Sequence, residues 1–286
     1  RNRHRDFYLA LAEGAAPHLQ GPDQATWFRR LETAHDNLRT ALRWSLDDAN
    51  IEASFRFGAA LDLFWDTHGH ITEGRQWLEQ TVARAGELPA TTTVRSRRAH
   101  AGALAAAAHM AARQSDFLRA KALYGESLEL WRAVGDRGAI AEVLNNLGDI
   151  VRQLGDRRQG KTMIGESLAL FREAADKRGI AHALSNLADI LLAEGDQRQA
   201  KRLFEESLPL FRATADRRGL SHGLNNLGGI LTREGDYAGA ETLYRDGLHL
   251  AEELGDKHAI ATAQRSLGEV ARYQRRFDNS LDLYRQ

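Results

Sequence analysis

Ile140-Ala-Glu-Val-Leu-Asn-Asn-Leu-Gly-Asp-Ile150 decides the fold, because the chain repeats it. It returns as Ile180-Ala-His-Ala-Leu-Ser-Asn-Leu-Ala-Asp-Ile190 and as Leu220-Ser-His-Gly-Leu-Asn-Asn-Leu-Gly-Gly-Ile230. A looser copy is Ile260-Ala-Thr-Ala-Gln-Arg-Ser-Leu-Gly-Glu-Val270, and the spacing is 40 residues each time. A fixed period of this size marks a helical solenoid, in which each repeat buries its apolar sides only by stacking on its neighbours.

Working outward, each repeat predicts a helix A, a turn, a helix B and a second turn. Gly155-Asp156, Gly195-Asp196 and Gly235-Asp236 fall between A and B, with Ser115-Asp116 in that place in the first repeat. Gly135-Asp136, Ala175-Asp176, Ala215-Asp216 and Gly255-Asp256 fall between B and the next A. Glycine supplies the left-handed residue that ends a helix, and aspartate accepts the free amides that open the next. Pro209 lies inside a predicted helix B and should bend or shorten it, since proline removes one backbone bond.

Composition agrees with an all-helical chain: four prolines, no cysteine, and much Ala, Leu, Glu and Arg among 286 residues. Without cysteine there are neither disulfides nor thiolate metal sites, which fits a cytoplasmic protein. Lys plus Arg and Asp plus Glu number 39 each, so no net field draws the chain to nucleic acid or an acidic membrane. No apolar run is long enough to span a bilayer.

Upstream of the regular repeats the pattern loosens. Residues 1–48 predict an N-terminal helical pair, the second helix running from about Gln24 to Leu46. Residues 49–93 predict a degenerate repeat and a loop, in which Leu61, Phe64, Trp65 and Gly69 match Leu147, Ile150, Val151 and Gly155. Residues 94–286 hold five repeats, the last truncated. Beginning at Arg1 and ending inside an apparent helix, the chain reads as a piece of a larger protein.

The repeats resemble the tetratricopeptide family in its longer form, found in kinesin light chain and in spindle-orientation adaptors. That family wants large, large, small, large along helix A, and Leu144, Leu147, Gly148 and Val151 fill the places. Leu184, Leu187, Ala188 and Leu191, then Leu224, Leu227, Gly228 and Leu231, repeat it. Helix B supplies a small residue and a large one four later: Ala120 and Tyr124, Gly160 and Ile164, Ala200 and Phe204, Ala240 and Tyr244. The resemblance implies an all-α, right-handed α-solenoid of antiparallel helix pairs. A second resemblance, over about 40 residues, is to the C-terminal tails of bacterial STAND-type regulatory ATPases of the AfsR and LuxR kinds. It rests on Arg3-His-Arg-Asp-Phe-Tyr-Leu-Ala-Leu-Ala-Glu13 and on Trp27-Phe-Arg-Arg-Leu-Glu with His35-Asp-Asn-Leu-Arg-Thr-Ala-Leu-Arg-Trp44. It implies a signal-sensing region with the nucleotide-binding core upstream.

The sequence offers no catalytic constellation, so neither an enzyme nor a cofactor is expected. Gly155-Asp-Arg-Arg-Gln-Gly-Lys-Thr162 fits the phosphate-loop pattern, but that loop needs a preceding strand and here a helix precedes it. The eleven histidines show no metal-ligand spacing: His182 and His222 sit on successive repeats, too far apart for one ion. No metal site is expected.

The functional signal lies on helix A. At helical pitch, Glu142, Asn146, Asp149 and Gln153 fall on the side opposite Leu144, Leu147 and Val151. The same places hold His182, Asn186 and Asp189, then His222, Asn226 and Arg233, then Ser266, Glu269 and Tyr273. In the family this side of helix A lines the concave groove. Asparagine both donates and accepts, as the backbone of an extended peptide requires. The alternative is that the asparagine ladder braces neighbouring helices, or is a product of repeat duplication. A protein or peptide ligand in the groove is therefore expected, with no nucleic acid and no membrane. The competing expectation is a scaffold that forms homo-oligomers through its C-terminal repeat, where Phe277, Leu281, Leu283 and Tyr284 lie.

Overall fold

The structure, a computed structural model, describes residues 1–47, 51–85 and 93–274. These form fourteen α-helices with no strand among the described residues. The chain divides into two compact units, residues 1–170 and 171–286. The residues expected to drive self-association, Phe277, Leu281, Leu283 and Tyr284, lie outside the described residues, as do residues 86–92.

The first unit opens with α1 (Asn2–Ala15), a short 3-10 turn (Ala16–His18), α2 (Gln24–Thr33) and α3 (His35–Leu46). The expected single helix from Gln24 to Leu46 is thus two. The break is at Ala34, whose ψ of 0° leaves the helical region and whose N–H is shared between the carbonyls of Arg30 and Leu31. Then come α4 (Glu52–Thr67), α5 (Ile71–Ala83), α6 (Val94–Arg113), α7 (Phe117–Val134) and α8 (Arg137–Gln153). The next helix, α9 (Arg157–Glu173), carries the chain into the second unit. That unit continues with α10 (Lys177–Glu194), α11 (Gln197–Ala213), α12 (Arg217–Glu234), α13 (Tyr237–Leu254) and α14 (Lys257–Tyr273).

The turns behave as their residue types require. Gly155, Gly195 and Gly235 have φ of +100°, +87° and +85°. The aspartate after each accepts an amide of the next helix: Asp156 from Gln159 at 2.9 Å, Asp196 from Gln199 at 3.0 Å, Asp236 from Gly239 at 2.9 Å. Asp136, Asp176, Asp216 and Asp256 cap the A helices in the same way. At Ala175 and Ala215 the left-handed residue is not glycine, and φ is +53° and +52°. A Cβ in this conformation meets the following carbonyl and costs about 1–2 kcal/mol. Ala215→Gly is therefore expected to raise stability by about 0.5–1 kcal/mol, after the glycine's added freedom in the unfolded chain is discounted. Denaturant midpoints would show it; a loss of stability would mean the turn is not strained.

Small residues set how closely A and B approach. A Cβ on Gly160 would stand 2.6 Å from the Gly148 carbonyl oxygen, and one on Gly148 would stand 2.6 Å from Ile164 Cγ1. Gly160 is thus a packing residue facing α8, and the phosphate-loop pattern has a helix, not a strand, before it. In the second unit, Gly228 lies against the Tyr244 ring, while Ala188 and Ala200 are fully buried with Phe204.

Elsewhere in the first unit the degenerate repeat packs as its pattern predicts: Leu61, Phe64 and Trp65 are buried and Gly69 has φ +79°. The alanine-rich α6 buries Ala103, Ala107, Ala108 and Ala111, places where the regular repeats carry some larger side chains. Of the bend or shortening expected at Pro209, the shortening is absent: α11 runs through Pro209 with 17 residues, as many as α9. Pro209 is on the exposed side, while Ser207, Leu208 and Phe211 around it are buried, so packing holds the helix across the missing bond.

Candidate ligand-binding face

In each unit, the helix-A residues singled out by pitch are less buried than the apolar residues on the same helices. In the first unit, Glu142, Asn146 and Gln153 of α8 are exposed and Asp149 half-buried, while Val143, Leu144, Leu147 and Val151 are buried. The face is internally bonded. Asn146 hydrogen-bonds the Tyr124 phenol of α7, which burial pushes up in pKa. Arg152 donates to Asp149 at 2.5 Å. On α6, His109 contacts Asp62 of α4 at 2.9 Å, and Arg113 Nε lies 2.6 Å from Asp66, whose side chain is fully buried. Those two atoms are close but off the hydrogen-bond line, so the contact is ionic.

In the second unit, His182, Asn186 and Asp189 of α10 are half-buried, as are Asn226 of α12 and Ser266 of α14. His222, Arg233, Glu269 and Tyr273 are exposed. Asn226 Nδ2 donates to Asp189 Oδ1 at 3.1 Å, which ties α12 to α10, and lies 3.2 Å from His222 Nε2. At least this rung of the ladder braces neighbouring helices, as the alternative reading held. Tyr273 stacks on Tyr237 of α13, with centroids 5.4 Å apart and planes 10° apart.

His182 does something its place in the pattern did not signal. Its Nε2 meets Asp216 Oδ2 at 2.8 Å, and Asp216 also accepts the Gly219 amide at 2.8 Å as the cap of α12. Burial alone would raise the Asp216 pKa, but the His182 bond and charge and the Gly219 amide bring it below 3.8. The folded state then binds fewer protons than the unfolded one, so this stabilisation is present above about pH 4 and is lost as pH falls further. His182→Ala is expected to cost about 1 kcal/mol at pH 7, given that the imidazole is partly exposed. Urea unfolding at pH 7 and pH 3 checks this; an equal cost at both would break the assignment.

A further cluster forms where no metal-ligand spacing was found in the sequence. Glu32 and His35, at the corner between α2 and α3, meet His70 in the turn between α4 and α5, with donor atoms all within 4.8 Å. His68 of the same turn reaches Glu32 as well, at 3.3 Å. The residues are more than 30 positions apart, so periodicity could not pair them. The local signals were the three-residue step from Glu32 to His35 and the alternate histidines around Gly69.

The tetratricopeptide repeat family model matches residues 99–159 and 220–286 of this chain. A protein of Mycobacterium tuberculosis named as an HTH-type transcriptional regulator (Rv0890c) is 33% identical over 97 residues, 33% of this chain. The match spans 11% of that relative's length. Among solved structures, a Rap protein complexed with Competence and Sporulation Factor superposes with a TM-score of 0.67 at 14% identity. The superposition covers 97% of this chain and 74% of that one. NprR in complex with its cognate peptide NprX gives 0.61 at 15%, covering 89% and 71%. These likenesses show the fold: an all-α solenoid of helix pairs. Among the described residues, no helix is long and apolar enough to cross a membrane.

Proposed function

We propose that the chain is a non-catalytic recognition module that binds a protein or an extended peptide along the polar side of its A helices. The observation that carries this is the division of α10 and α12. Ala183, Leu184, Ile190, Leu224 and Ile230 are buried, while the polar Asn186, Asp189 and Asn226 lie half-buried on the other side. Structures of the same fold, with Competence and Sporulation Factor and with NprX, support it. The alternating acidic and basic side chains, Asp189 and Glu269 beside Arg233, suit a mixed-charge peptide better than a phosphate backbone. A bacterial, cytoplasmic setting as the sensor region of a STAND-type regulatory ATPase or transcriptional regulator is supported by the Rv0890c relative and by residues 3–44. Ligand binding would then be relayed through residues 1–48 to an upstream switch.

Asn186→Ala and Asn226→Ala are each expected to weaken binding of a peptide selected on this chain from a display library by about 5- to 10-fold. That is the value of one hydrogen bond. Calorimetric titration reads the affinity and circular dichroism the helicity. Unchanged affinity in both variants with helicity intact would overturn this reading.

A further inference from the structure

The cluster between the α2–α3 corner and the α4–α5 turn has the geometry of a coordination shell. Glu32 Oε2 lies 3.2 Å from His70 Nε2 and 3.3 Å from His68 Nδ1. Two ligand atoms each 2.0–2.1 Å from a tetrahedral zinc ion lie about 3.3 Å apart. Charge-assisted hydrogen bonds between such groups, by contrast, are usually about 2.7–2.9 Å. His70 is within hydrogen-bond reach of Glu32, and the same spacing suits two ligands of one ion.

A second observation points the same way. His35 is 7% exposed, its ring centroid is 4.3 Å from that of His70, and its buried Nε2 makes no hydrogen bond. That nitrogen is 3.3 Å from Glu73 Oε1 but off the hydrogen-bond line. The neighbouring cation is already engaged: Arg39 donates to Glu73 at 2.6 Å and 2.8 Å and to Asp36 at 3.0 Å. Glu32, His68 and His70 are partly exposed, so an ion can reach them.

We propose that Glu32, His35 and His70, with His68 beside Glu32, bind a divalent transition-metal cation of the zinc class, joining the N-terminal helices to the α4–α5 pair. Imidazoles with one carboxylate and no thiolate suit Zn²⁺, or Co²⁺ in its place, over Mg²⁺ or Ca²⁺, which take oxygen donors. The ion would link two turns that are held together here by side-chain contacts alone.

The test is titration of the purified, chelator-treated 286-residue chain with Zn²⁺ against a chromophoric chelator, with Co²⁺ absorption as the report on geometry. One equivalent should bind, and the visible Co²⁺ bands should be those of a four-coordinate ion. Glu32→Gln, at a half-exposed position that the fold tolerates, is expected to weaken binding at least 10-fold. His68→Asn with His70→Asn should weaken it at least 100-fold at unchanged helicity. His182→Asn with His222→Asn should leave it unchanged. Absence of stoichiometric binding by the native chain would overturn the proposal, and so would binding that survives both Glu32→Gln and the His68/His70 pair.

Discussion

Replacing Gly160 by leucine is expected to destabilise the first unit by about 3 kcal/mol. A first side-chain atom at this position would stand 2.6 Å from the Gly148 carbonyl oxygen and 3.2 Å from the Arg152 backbone nitrogen. Both obstacles are main chain, so no rotamer change relieves them and α8 and α9 must move apart. The separation would uncover Leu147, Val151 and Ile164, all buried at this crossing. The internal control is Gly165, in the same helix, where a Cβ meets nothing within 4 Å. Gly165→Ala should stabilise by about 0.5–1 kcal/mol, the propensity difference. Opposite signs at two glycines five residues apart, read by denaturant unfolding, isolate the close approach from helix propensity. A Gly160→Leu chain as stable as the native one would show that the crossing is not tight.

The second large effect is expected at Phe211. Its side chain is 1% exposed, and a Cβ on Gly219 would clash with its ring, so the ring packs directly against the backbone of α12. The His182 imidazole, which holds the α12 cap, meets the other side of the ring with centroids 5.0 Å apart. Phe211→Ala should cost about 3–5 kcal/mol, the range for emptying a large aromatic site that cannot collapse. Phe171 and Gly179 repeat the arrangement one period earlier, where a Cβ on the glycine would again clash with the ring. In a repeat array unfolding is only partly cooperative, so the loss should appear as an earlier transition of the second unit. Hydrogen exchange would show α11 and α12 losing protection before α8. A cost below about 1 kcal/mol would mean the site closes over the missing ring.

The turns and the A–B packing were legible because both are local and periodic. Glycine or alanine before aspartate recurs at a fixed interval, and each such pair adopts the backbone that its chemistry demands. The aromatic ring on glycine was equally periodic, at Phe171 with Gly179 and at Phe211 with Gly219, but tetratricopeptide spacing drew attention to other positions. So were the serines of the B helices: Ser127 and Ser167 donate to the carbonyls of Ala101 and Ala141, at 2.8 Å and 2.7 Å. The non-periodic part was hidden. The break at Ala34 has no glycine or proline to announce it, and Glu32 meets His70 only because that break turns the chain. On each A helix, pitch separates the buried apolar residues from the more exposed polar ones. It could not tell that Asn226 and His182 reach across to Asp189 and Asp216, because such contacts depend on the offset between repeats.

The uniform turns also constrain how such a chain can change in length. Each connection between the repeat helices is two or three residues, held by a left-handed residue and a capping aspartate, so there is little slack to absorb an insertion. One residue added within a helix rotates everything after it by roughly 100°. Leu224 would then turn toward solvent and Asn226 toward the core. Forty residues added or removed together restore both the angle and the sequence of turns. The array can therefore be edited in whole repeats far more readily than in single residues, and the length of the face it offers to a ligand is quantised.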